Sequence, residues 1–120
     1  DKTEDLFQYA QELGLEVLIE THTKEEFLYA LSLRAPIIGI NNRNLNSFKL
    51  NPEHAINLIN NIKIQELLTN LKNSENYNPV LVIESGINNK QQIIQAHNSG
   101  FNCALIGSSL VNNPGFLQDY

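Results

Sequence analysis

The sequence predicts an α/β fold made of half a (βα)8 barrel. Three observations predict it. Helix-like and strand-like segments alternate along the chain, and no linker divides them. The strand-like runs at 16–20, 37–40, 80–83 and 103–106 are almost continuously apolar, which is the pattern of parallel strands covered by helices. Two runs end in small-residue turns, Glu84-Ser85-Gly86 and Gly107-Ser108-Ser109. Alternating βα units close into a barrel or open into a doubly wound sheet. A whole barrel takes about 250 residues. A chain of 120 residues with four such strands therefore reads as one partial barrel domain over 1–120, truncated at both ends.

The elements follow in order. Thr3 can cap a first helix whose apolar face is Leu6, Ala10 and Leu13, with Gly14 as its stop. Residues 16–20 (EVLIE) form the first strand. Thr23 and Glu26 make a capping box for a helix that buries Phe27, Ala30 and Leu31. Pro36 ends that segment, and 37–40 is the second strand. Asn51-Pro52 reads as a cap with proline at the first helical position, before Ala55, Ile56 and Ile59. Ile64, Leu67, Leu68 and Leu71 continue as helix through an asparagine-rich stretch. After the third strand at 80–83, Asn89 caps a helix carrying Ile93, Ile94 and His97, which Gly100 stops. The fourth strand is 103–106, and Asn113-Pro114 can open a last helix.

Composition removes several classes of function. The net charge is -5 and no Lys/Arg cluster exists, which excludes a nucleic-acid surface. No apolar run approaches the roughly 18 residues of a membrane span. The polar, acidic start at 1–5 has no leader pattern. Cys103 is the sole cysteine, so no intrachain disulfide forms; it reads as core and fits a reducing compartment.

In barrels the site lies at the carboxyl ends of the strands. Here those ends carry Glu20, Asn41, Ser85 and Gly107. Glu20 is placed to act as a general base or to stabilise a developing cation, or else simply pairs with Arg43. Asn41 offers a neutral donor and acceptor, and Arg43 can grip a carboxylate. Asn42 and Asn44 read as turn residues. Ser85-Gly86 and Gly107-Ser108 free backbone N–H groups for an anion, which suits a phosphorylated small molecule. His22, just past a strand end, can line the mouth. His54 and His97 read as helix-surface residues, and the three histidines lack metal-ligand spacing.

Four segments together resemble the indole-3-glycerol-phosphate synthase family of tryptophan biosynthesis. They are LEVLIETH at 15–22, IGINNRNL at 38–45, ESGI at 84–87 and LIGSSL at 105–110, and the resemblance runs over residues 13–115. It implies strands five to eight of a (βα)8 barrel. It implies an enzyme that closes the indole ring of 1-(2-carboxyphenylamino)-1-deoxyribulose 5-phosphate with loss of carbon dioxide and water. By the same resemblance Glu20 is the acid–base glutamate and Asn41 a substrate-contacting catalytic residue. Arg43, Glu84 and Ser85 bind substrate, and Gly86, Gly107 and Ser108 cradle phosphate. It implies no metal and no organic cofactor.

The family's essential lysines and a further glutamate belong to the first half of the barrel, so a missing amino-terminal half is the implied partner. The chain alone is then expected to be inactive. Asn44 stands where many members carry Asp, and 62–78 is longer than in compact members. The expected compartment is the cytoplasm, or a plastid in a photosynthetic eukaryote. The alternatives are another phosphate-binding barrel, such as phosphoribosylanthranilate isomerase, or a non-catalytic half-barrel that binds phosphate.

Overall fold

A computed structural model of the protein describes residues 1–107. Its elements are α1 (Lys2–Glu12), β1 (Leu18–Thr21), α2 (Lys24–Ser32), β2 (Ile37–Asn41), α3 (His54–Ile59), α4 (Ile62–Glu75), β3 (Val80–Glu84), α5 (Lys90–Ser99) and β4 (Cys103–Leu105). The expected last helix and Ser108 lie outside the described residues. The four strands form one parallel sheet in the order β1-β2-β3-β4. A doubly wound sheet reverses its order at a switch point. The sequential order found here shows no such switch and is consistent with half of a TIM barrel.

Strand alternation gives the sheet two unlike faces. Ile38, Ile40, Leu81 and Ile83 point to the helices and join Phe27, Leu31, Ile59 and Ile64 in the core. The other face carries Leu18, Glu20, Gly39, Asn41, Val82, Glu84 and Leu105. It is partly open: Leu18 is 44%, Val80 38% and Leu105 60% exposed.

Local chemistry sets the helix ends. The Thr23–Glu26 capping box forms, with Glu26 N–H donating to Thr23 Oγ1 at 3.1 Å and Thr23 N–H to Glu26 Oε1 at 2.9 Å. Asn89 caps α5 by accepting from the Gln92 N–H at 2.9 Å, and Gly100 ends it in the left-handed region at φ 107°. α4 begins at Asn61, which accepts from Lys63 and Ile64, and buries Ile64 and Leu71.

Four expectations need correction. Asp1, not Thr3, caps α1; its carboxylate accepts from Glu4 N–H at 3.0 Å, so the helix starts earlier. Phe7 is the residue α1 buries, while Leu6 and Leu13 face solvent. Pro52 sits in a turn before α3, because Asn51 accepts from the Glu53 N–H and thereby delays the helix to His54. Cys103 is exposed rather than core, because among the described residues β4 is the last strand of the sheet and its partly open face holds the thiol.

Candidate active site

The carboxyl ends of β1, β2 and β3 converge on Asn41. Its Nδ2 donates to Glu20 Oε1 at 2.7 Å. Its Oδ1 accepts from Ser85 Oγ at 2.7 Å and from the Arg43 N–H at 2.9 Å. Glu20 pairs in register with Gly39, and Asn41 with Glu84, so all these groups stand on the sheet face turned away from the helices. An amide suits this place: it can donate to a carboxylate on one side and accept from a hydroxyl on the other, with no charge of its own. Glu20 remains exposed at the mouth, held at one oxygen. Its partner is Asn41, not Arg43.

Ser85 adopts φ 72°, a left-handed conformation uncommon for a residue with a side chain. The bond from Ser85 Oγ to Asn41 fixes its side chain, and Asn42 Nδ2 donates to its carbonyl at 3.0 Å. Gly86 follows at φ 76°, and a Cβ there would press within 3.1 Å of the Leu50 side chain. Gly86 and Gly107 line one cleft with Arg43, Leu50 and Ile87, with a volume of about 420 Å³. This is the cleft in which the sequence places the phosphate. The Arg43 guanidinium donates to Phe48 O at 2.9 Å, and it makes no ion pair among the described residues. A second, smaller cleft of about 250 Å³ lies on the other flank of Asn41, lined by Glu20, His22, Glu26 and Asn44. Another cleft, under α4, opens beside Asn78 and Asn102, at the opposite ends of the strands and away from these groups.

Glu84 is the electrostatic oddity of the site. It is only 4% exposed, and its Oε2 has no hydrogen-bond partner among the described residues. Burial, and then the charge of Glu20, push its carboxyl up to about 6. Gly39 makes the room, since a Cβ at that position would collide with the Glu84 carboxylate. Gly39 was a missed signal: a glycine inside an apolar strand marks a close approach by another group.

Asn42 is more than a turn residue. It is fully buried, accepts from the Ala55 N–H at 2.8 Å and ties α3 to the Ser85 turn. Asn44 does make a turn, accepting from the N–H groups of Asn46 and Ser47. His22 reaches the mouth as expected. His54 is not a plain surface residue: it is half-buried and its ring stacks on His22. Nothing in the sequence pairs those two rings, which are 32 residues apart. His97 is exposed on α5. Among the described residues no group of three His, Cys, Asp or Glu is placed to hold a metal ion. Among the same residues no helix is long and apolar enough to cross a membrane.

Residues 1–118 match the family described as indole-3-glycerol phosphate synthase. The chain belongs to this family. It is 40% identical to the indole-3-glycerol phosphate synthase of Staphylococcus saprophyticus, over 95% of the chain and 39% of that protein. It is 38% identical to that of Legionella pneumophila strain Paris, over 89% of the chain and 36% of the relative. With that of Bacillus cereus it shares 32% over 99% of the chain and 44% of the relative. The chain thus spans less than half the length of the indole-3-glycerol phosphate synthases it matches. These matches favour neither an isomerase nor a non-catalytic half-barrel.

Proposed function

We propose that this chain forms strands five to eight of an indole-3-glycerol phosphate synthase. In the intact enzyme it would help close the indole ring of 1-(2-carboxyphenylamino)-1-deoxyribulose 5-phosphate, with release of carbon dioxide and water. The observation that carries the reading is the Glu20–Asn41–Ser85 chain of hydrogen bonds across three adjacent strand ends. It offers one carboxylate, oriented and still open to the mouth, beside a cleft with two glycines. Glu20 then takes and returns protons during ring closure and dehydration, a role worth roughly 10²–10⁴-fold in rate. Asn41 contacts the substrate and orients Glu20. Arg43 and Ser85 hold the substrate, the buried Glu84 orients its neighbours in the mouth, and Gly86, Gly107 and Ser108 hold the phosphate through backbone N–H groups.

The remaining strands would bring the family's lysines. Glu84 Oε2, which has no hydrogen-bond partner among the described residues, supports this, because a buried carboxylate facing a second one is eased by a cation. The bacterial relatives support a cytoplasmic location; nothing supports a plastid.

The test is ring closure by the intact chain that carries these residues, followed by the fluorescence of the indole product. We expect turnover, a loss of about 10²-fold or more in kcat for Glu20→Gln, and none from the 120-residue chain alone. Full activity of Glu20→Gln would refute the assignment of the base. Turnover by the short chain would refute the half-enzyme reading.

A further inference from the structure

His22 stands at the mouth and is held from three sides. Its backbone N–H donates to Glu26 Oε1 at 2.8 Å, beside the capping bond of Thr23. Its carbonyl accepts from His54 Nε2 at the start of α3. Its ring stacks on the His54 ring, centroids 4.1 Å apart and planes 24° from parallel. The free edge of that ring points at β2, with Nδ1 2.7 Å from the Asn41 carbonyl oxygen. A carbonyl only accepts, so both contacting nitrogens carry hydrogen: Nδ1 of His22 and Nε2 of His54.

What His22 grips matters more than how it is gripped. Asn41 is the last residue of β2. Its side chain links Glu20 to Ser85. The His22 bond pins the carbonyl of that same residue, so the peptide cannot swing without losing a part-buried hydrogen bond.

We infer that His22 is a positioning residue: an Nδ1–H donor, backed by the His54 ring, that fixes Asn41 and through it the direction of the Glu20 carboxylate. The inference rests on reading the Glu20–Asn41–Ser85 chain as the catalytic mouth. It assigns His22 no proton transfer and no contact with substrate. The phosphate cleft depends on β3 and β4 turns that His22 does not touch, so the effect falls on turnover more than on binding.

The experiment compares His22→Leu and His22→Asn in the intact chain. Leucine removes the donor. Asparagine restores an N–H at nearly the Nδ1 position. Because displacement of a reacting group by about 1 Å can cost up to 10²-fold, His22→Leu is expected to lower kcat about tenfold with KM within about twofold. His22→Asn should recover kcat to within about threefold. An unchanged kcat in His22→Leu overturns the inference. So does an asparagine variant as slow as the leucine one, since that marks packing rather than the hydrogen bond as the cause.

A second readout separates this from failure of the functional reading. The Asn41 side-chain amide resonance should move and exchange faster in His22→Leu, and return in His22→Asn. If the wild-type chain turns nothing over but the resonance behaves so, the enzyme reading fails and the positioning stands. If the resonance is indifferent to both substitutions, the positioning fails whatever the activity.

Discussion

At the scale of single residues, Glu84 concentrates the tension of this site. An unfolded glutamate titrates near 4.5, whereas Glu84 in the fold is pushed up to about 6 by burial and by Glu20. The folded state therefore holds the proton more tightly than the unfolded one. The stability this contributes is full below pH 4.5 and is lost as pH rises through 6, in total about 2 kcal/mol. Urea midpoints of the 120-residue chain at pH 5 and pH 7.5, beside those of Glu84→Gln, check this. The wild type should lose stability across that interval relative to the variant, which cannot ionise there. Equal pH slopes in the two would sink the idea. Comparing the two also cancels Glu26, whose carboxyl is lowered by the N–H groups of Thr23 and His22 and so pulls the other way.

At the scale of elements, the caps decide where segments begin, and the Thr23–Glu26 pair serves twice. Glu26 Oε1 accepts from the N–H groups of both Thr23 and His22, so the box that starts α2 also sets the loop carrying His22. Thr23→Ala should cost about 1 kcal/mol, read as a lower unfolding midpoint, and Thr23→Ser should restore most of it. Equal losses in both would assign the effect to the lost methyl group. This box was legible in the sequence because its donors and acceptors lie three residues apart, as was the Asn89 cap. The buried faces of α2 and α3 were legible for the same local reason. The face of α1 was not: Leu6, Ala10 and Leu13 have helical spacing, yet the contact with the core runs through Phe7. Periodicity finds an apolar stripe but cannot say which stripe has something to pack against. Residues at strand ends were legible one by one. Their joining through Asn41, the His22–His54 stack and the Asn42 tie to α3 were not, because each depends on groups that only the sheet order brings together.

At the scale of the whole molecule, the sheet formed by the described residues is open on two edges and one face. β1 and β4 each have a single strand neighbour among the described residues. Apolar side chains of Leu18, Val80 and Leu105 stand open on the face that a closed barrel would fill. Unpaired edges beside apolar surface invite pairing with another copy. The net charge of -5 opposes this only weakly, because screening limits repulsion to about 8 Å at physiological salt. We therefore expect the 120-residue chain alone to self-associate, sedimenting as a dimer or larger at micromolar concentrations. A clean monomer with slow amide exchange in all four strands would count against this. Leu105→Lys puts a charge on the β4 edge at a residue 60% exposed here, so it should weaken association of the short chain at little cost to its fold. In the intact barrel the same lysine would sit among inward-facing side chains and should destabilise. One substitution thus has opposite effects on the short and the intact chain. A lysine equally harmless in both would mean that β4 is an edge in the intact chain as well, and that the barrel does not close there.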